Sequence, residues 1–273
     1  MVAGFRWYLC AHASTRALLG DSPKLDVASL LSRAEAIVGK RLFDLEKEIV
    51  RLDEESRVLT KAGAAYVIER YFGIKANSFA LPDFPDLGIE LKSVPLRERA
   101  GMLTVKEPLS LNMINYFEEA KCNDITESSF YKKNKQILFI CYLQKGELRS
   151  QYVVMYSFLW KMDDQVLTEL RPDFDWIIKK IRAGEATELH QEFTRYLCTC
   201  PKHNGDFKDP LEMTSKVKQP FSQAWAEKKA YRLKTSYMSL VISRRFGVPL
   251  ERNGRNPSRI WWRPPQGPTI ARL

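Results

Sequence analysis

The sequence predicts an α+β fold, a mixed β-sheet flanked by helices. Three observations carry this expectation. Segments with a helical apolar period fill the first part of the chain. Runs rich in β-branched and aromatic residues lie in the middle, and amphipathic helical segments return after them. The 273 residues are 45% hydrophobic and 28% charged, which is enough to bury a substantial core and ordinary for a globular protein.

The elements follow in order. Residues 1–25 read as an N-terminal extension without periodicity, interrupted by Pro23; Arg6 breaks its apolar run, so it is not read as a secretion signal. From Leu25 to about Leu52 the pattern is helical: "DVASLLSRAEAIVGK" offers Asp26 as a cap and sets Val27, Leu30, Leu31 and Ala34 on one face. Gly39 closes it. "LTKAGAAYVIERYFG" (Leu59–Gly73) is the next helix, with Thr60 as its cap and Gly73 as its stop. "FPDLGIELKSVP" (Phe84–Pro95) reads as a strand, because Ile89 and Leu91 alternate with Glu90 and Lys92. "QILFICYL" (Gln136–Leu143) and "SQYVVMYSFLW" (Ser150–Trp160) are strands, and the "KGEL" turn between them predicts a hairpin. "PDFDWIIKKIRAG" is a helix opening at Pro172 and closing at Gly184, and "KTSYMSLVISRRFG" is another, ending at Gly247. Residues 249–273, rich in Arg, Pro and Gly, read as a basic flexible arm whose Ile260–Trp262 docks on the body or on another subunit.

Lys plus Arg outnumber Asp plus Glu by 43 to 33, a net charge of +10. That balance points to a polyanion, nucleic acid first and an anionic membrane surface as the rival. No apolar run is long enough to span a membrane. Five cysteines at irregular spacing suit a reducing cytoplasm. "CTCPKH" sets Cys198 and Cys200 beside His203, but His190 and Cys141 lack the spacing of a second zinc-ligand pair, so it reads as a loop with buried thiols.

The chemistry gathers at residues 83–92. Strand alternation puts Glu90 and Lys92 on one face. As a bare pattern this is equally a salt-bridged surface strand. Phosphodiester hydrolysis, however, needs Mg²⁺ held by a few carboxylates with open positions for phosphate and water. Asp83 and Glu90 supply two carboxylates, the Leu91 carbonyl a third oxygen, and Lys92 a cation for the water or the developing charge. Glu69 sits on the preceding helix among apolar neighbours.

"PDFPDLGIELKSVP" closely resembles the active-site segment of the MutH mismatch-repair nickases and the related Sau-type restriction endonucleases, which have a PD-(D/E)xK restriction-endonuclease-like core. "LSLNMINY", "SSFYKKNKQILFICYL", "YLCTCPK" and "QPFSQAWAEKKAYRLKTSYM" resemble further segments of the GATC-cutting branch, in the same order. The resemblance covers residues 26–248. It implies that Asp83, Glu90 and Lys92 are the catalytic Asp-x₆-Glu-x-Lys, with Glu69 the helical glutamate near the metal and Lys133 a lysine arriving from a neighbouring strand. Lys61 matches a DNA-contacting position. Tyr231, Arg232 and Lys234 fall in the late segment that reads bases and phosphates, and Lys132 and Lys135 join the basic edge. The implied function is a type II restriction endonuclease acting on duplex DNA at a short palindrome, GATC, either as a homodimer or with a second subunit. A strand-specific repair nickase is the alternative, and a non-catalytic DNA-binding protein the alternative from another class. The Sau-type enzyme carries a second, similar domain, and this chain is expected to lack it. Asp86 falls off the family spacing and is expected in a turn.

Overall fold

The computed structural model describes residues 25–52, 63–74, 80–146, 148, 151–202, 216–253 and 256–264. Three helices come first: α1 (Val27–Glu35), α2 (Leu42–Leu52) and α3 (Ala64–Tyr71). Asp26 caps α1 as expected, its carboxylate accepting the Ser29 N–H at 2.7 Å. For α3 the expectation needs correcting. Its N-cap is Gly63, and Thr60 lies outside the described residues.

Six strands build the main sheet in the order β10-β11-β2-β1-β4-β5. They are β1 (Glu90–Arg99), β2 (Met102–Val105), β4 (Gln136–Leu143), β5 (Val153–Lys161), β10 (Leu250–Asn253) and β11 (Asn256–Trp262). β1 and β4 are parallel, with Glu90 opposite Ile137, and the other pairs are antiparallel. The sheet is therefore mixed, and the β4–β5 hairpin is as the sequence predicts.

Both faces of the sheet are covered. Leu91, Leu138, Ile140 and Val154 pack with α1–α3 on one side. Val94, Leu96, Phe139 and Phe158 face the other side. There they meet α6 (Asp164–Arg182), α7 (Thr235–Phe246) and a second sheet, β3-β9-β6. That sheet contains β3 (Leu109–Met113), β6 (Leu197–Pro201) and β9 (Lys229–Leu233). Between β3 and β4 run α4 (Tyr116–Glu119) and α5 (Ser129–Asn134), and a ribbon of β7 (Lys216–Lys218) and β8 (Trp225–Glu227) precedes β9. Among the described residues no helix is long and apolar enough to cross a membrane.

Three further expectations are overturned. Pro172 lies inside α6, which starts eight residues before it: Asp163 caps the helix, accepting the Val166 N–H at 3.0 Å. Buried Val166 and Leu170 before the proline and Phe174 and Ile177 after it carry one helical face through it, so tertiary packing outweighs the loss of one backbone donor. The basic arm is also not an arm in its first part. Leu250–Asn253 and Asn256–Trp262 form a hairpin that extends the main sheet, with Trp262 opposite Leu103 and fully buried. Two adjacent tryptophans supply more apolar area than the Arg and Pro content offsets. The "CTC" run is strand β6 rather than a loop, and its thiols are buried as expected; burial pushes the Cys198 thiol up to about 11.

Candidate active site

Residues 83–92 form a tight hairpin at the N-terminal end of β1. Phe84 and Ile89 exchange backbone hydrogen bonds of 2.9 and 3.2 Å. Residues 85–88 make the turn, and Asp86 lies exposed in it, as the family spacing implies. Gly88 has φ +65°, a conformation that favours glycine, and its missing Cβ would meet Lys135 Cε at 3.6 Å. Buried Phe84 and Ile89 anchor this turn on the α1–α3 side.

The hairpin lays Asp83 beside Glu90, and reciprocal bonds fix the pair. The Asp83 N–H donates to Glu90 Oε2 at 3.1 Å, and the Leu91 N–H donates to Asp83 Oδ2 at 3.0 Å. In a strand, a residue's N–H and C=O point to the same edge. The Leu91 carbonyl therefore also faces the Asp83 side, away from β4. β2 does not cover that edge, since it pairs only with residues 96–99 of β1.

Glu90 is 1% exposed, which excludes a salt-bridged surface strand. Lys92 Nζ donates to Glu90 Oε1 at 2.6 Å, and Lys133 Nζ lies 3.8 Å from the same oxygen. Burial raises the Glu90 carboxyl above the usual range; Lys92 opposes this, and Asp83 adds to it. Glu69, half-buried on α3, is raised first by burial and then by the like charge of Asp83, with Lys92 opposing. The structure thus brings Glu69, Asp83, Glu90, Lys92 and Lys133 into one electrostatic cluster.

Lys133 comes from helix α5, not from a strand. α5 ends directly before β4, the parallel neighbour of β1, which explains how a helical lysine reaches Glu90. Lys132 and Lys135 are exposed beside it. Lys61 lies outside the described residues.

On β9 and at Lys234, the N-cap of α7 directly after it, the outcome is divided. Arg232 and Lys234 are half-buried, Arg232 Nε donating to Ser110 Oγ at 3.0 Å and Lys234 Nζ to the Thr194 carbonyl. Tyr231 is 0% exposed and its hydroxyl donates to Glu119 Oε2 at 3.0 Å, so its assignment as a DNA-contacting residue is corrected. Strand alternation turns Tyr231 into the core. A recess of about 650 Å³, in which Lys202, Lys218 and Lys228 meet exposed Met113 and Phe117, is not foreshadowed in the sequence. Its walls are distant in sequence, so no local signal marks it.

As to a metal, the donors are all oxygen, which suits a hard cation. Among the described residues no three His, Cys, Asp or Glu side chains group as a ligand set. Two carboxylates and one carbonyl fit Mg²⁺, which is bound through one or two carboxylates and keeps several waters.

A model of the family described as DNA mismatch repair enzyme MutH matches residues 72–173, the stretch holding the hairpin, β1 and α5. The type II restriction enzyme Sau3AI of Staphylococcus aureus is 31% identical over 216 residues, covering 77% of this chain and 41% of that protein. This chain thus spans about two-fifths of Sau3AI's length. The DNA mismatch repair protein MutH of Histophilus somni (strain 2336) is 24% identical over 216 residues, 74% of this chain and 94% of that protein. MutH of Shewanella woodyi is 23% identical over 240 residues, 86% and 98% of the two chains. With the motif residues gathered as the resemblance implies, the chain is similar to both the MutH and the Sau-type branches of this restriction endonuclease family.

Proposed function

We propose that the chain is a Mg²⁺-dependent type II restriction endonuclease that hydrolyses duplex DNA at a short palindrome, GATC, in the cytoplasm. The observation that carries the reading is the Asp83–Glu90–Lys92 constellation. It holds two carboxylates pinned by reciprocal hydrogen bonds and a lysine 2.6 Å from the buried one.

The Asp83 and Glu90 carboxylates and the Leu91 carbonyl would hold the ion. The chemistry it supplies when bound is neutralisation of phosphate charge and acidification of water. The chain's own groups do the rest. Lys92, held by Glu90, orients the attacking water and stabilises charge developing on the phosphate. Lys133 adds a second cation at Glu90 Oε1, and Glu69 faces the same cluster from α3. Exposed Lys132 and Lys135 contact phosphates, which position the duplex without reading sequence. Arg232 and Lys234 are the candidates for base contacts, since a guanidinium or ammonium suits the O6/N7 edge of guanine.

One such site cuts one strand. Double-strand cleavage then requires a homodimer on the palindrome, a second subunit, or two successive nicks. The second reading is a strand-specific repair nickase. It is favoured by the near-complete coverage of the MutH relatives, 94% and 98%, against 41% of Sau3AI.

Digestion of methylated and unmethylated plasmid with Mg²⁺, followed by sequencing of the ends, tests both. Linear product with ends at GATC supports the restriction enzyme, and nicked circles at GATC support the nickase. Ends without a common site discard GATC. Binding without any cleavage discards the enzyme in favour of a DNA-binding protein.

A further inference from the structure

We propose that a buried hydrogen-bonded chain from β9 to α5 is a positioning device, which sets Lys133 against Glu90 and ties it to the strand carrying Arg232. The inference rests on the nuclease reading above and adds residues to which the motifs assign no role: Asn112, Glu119, Ser129 and Asn134.

α5 spans six residues, far below the length at which an isolated helix holds itself. Its orientation, and with it the direction of Lys133, must come from its surroundings. Phe130 and Asn134, one turn apart, are both 0% exposed and define the buried face.

Polar contacts fix that face in one rotation. Asn134 Nδ2 donates to Asn112 Oδ1 at 2.9 Å and to the Phe130 carbonyl at 2.8 Å. Asn112 Nδ2 donates to Ser129 Oγ at 2.9 Å. The Ser129 N–H donates to Glu119 Oε1 at 3.0 Å, and its hydroxyl donates to the same oxygen. Glu119 Oε2 accepts the Tyr231 hydroxyl at 3.0 Å, while the Tyr231 ring packs on Phe130 with centroids 5.3 Å apart. Apolar side chains would fill this space in several rotations, whereas these directed hydrogen bonds select one, with Asn134 Oδ1 the one buried atom of the network left without a partner.

The chain also reaches the candidate recognition strand. Arg232 follows Tyr231 on β9 and donates to Ser110, which lies two residues before Asn112 on β3. A base or phosphate that moves Arg232 therefore loads both ends of the network. Lys133, one residue before Asn134, receives the displacement where it faces Glu90.

The test uses the full chain with Asn112→Ala, Asn134→Ala, Lys133→Ala and the two doubles that combine an asparagine change with Lys133→Ala. Each asparagine variant should slow single-turnover cleavage by about 10- to 100-fold, as expected for a sub-ångström to ångström misplacement. Duplex Kd should change by less than about threefold, which separates positioning from binding. In the Lys133→Ala background the asparagine changes should cost nothing more, because their effect passes through Lys133. Full additivity overturns the proposal. A second readout needs no activity: the ¹³C relaxation of the Lys133 ε-carbon in lysine-labelled protein. Order should fall at Lys133 and stay unchanged at Lys135. Unchanged Lys133 order overturns the proposal whether or not the protein cuts DNA. Loosened Lys133 in a protein whose wild type cuts no DNA supports the device and sinks the nuclease reading alone. Half-buried Asn112 gives the milder variant where Asn134→Ala fails to fold.

Discussion

Glu90 and Glu119 are both closed to solvent, 1% and 0% exposed, yet their surroundings differ in kind. Glu119 is met by neutral donors on fixed elements, the Ser129 N–H and hydroxyl and the Tyr231 hydroxyl. Asp173 belongs with it, accepting the backbone N–H groups of Arg195, Tyr196 and Leu197 at 2.6–2.8 Å. Glu90 instead shares one oxygen between two ammonium groups and stands beside a second carboxylate, with its own carboxyl raised by burial. The lesson is that burial alone does not mark a functional carboxylate. A buried acid saturated by neutral donors joins elements together. A buried acid among charges of both signs is the arrangement that the proposed chemistry calls for, and it is expected to contribute little to stability.

The largest expected effect tests that division directly. Glu90→Gln keeps an acceptor for the Asp83 N–H and removes the charge. Cleavage should fall by about 10³-fold, or roughly 4 kcal/mol of barrier, in single-turnover assays. Urea denaturation should show a stability change within about 1 kcal/mol. A stability loss matching the activity loss would collapse the contrast. Glu119→Ala and Asp173→Ala should instead show in stability, with Glu119→Ala also slowing cleavage through α5. Each strands several buried donors, and each should lower unfolding free energy by about 3 kcal/mol. A loss below 1 kcal/mol for both, an order-of-magnitude reading of the same denaturation curves, would show that these carboxylates do not join elements.

The contrast also explains what could be read from the sequence. Period-2 alternation put Glu90 and Lys92 on one face, and the 2.6 Å contact bears that out. Glycine stops at Gly73, Gly184 and Gly247 are borne out, each with positive φ, whereas α1 ends at Glu35 with Ala36 as its C-cap, short of the expected stop at Gly39. The burial of Glu90 was not legible, because it depends on layers contributed by α3, α5 and β4. Nor was the role of Glu119, whose partners Ser129 and Tyr231 are 10 and 112 residues away. Composition misled at the C-terminus, where Arg and Pro masked a hairpin anchored by Trp261 and Trp262. Tyr231 and Pro172 were misplaced for the same reason: packing decided them, and packing is not local.

Exposed cations near the site offer a smaller effect that sharpens the comparison. Lys132 and Lys135 are exposed on the edge beside Glu90, whereas Tyr231 is buried against Glu119. Alanine at either lysine should reduce the slope of log K against log salt by about 1, measured as duplex affinity over a salt series. Tyr231→Phe should leave that slope unchanged. A slope change for Tyr231→Phe, or none for both lysines, would reverse the assignment of which side faces the duplex.

The smallest effect comes from a third kind of carboxylate, one partnered at the surface. Asp124 accepts the Thr126 N–H at 2.9 Å and its hydroxyl at 2.8 Å, and it also pairs with Arg171. The Arg171 hydrogen bond, then the Thr126 bonds, hold its carboxyl down at about 2. The unfolded value is about 3.9, so the folded state favours the charged form. Its stabilisation is therefore complete above that unfolded value and is lost as pH falls through about 4 towards 2. Both partners are more than a third exposed, so solvent screening keeps the contribution below about 1 kcal/mol. The difference in unfolding free energy between wild type and Asp124→Asn should shrink over that interval and stay flat above pH 5, roughly one unit clear of the unfolded value. A difference that grows with acid would mean that Asp124 behaves like the penalised Glu90. A constant difference would mean that only its neutral hydrogen bonds count, as for Glu119.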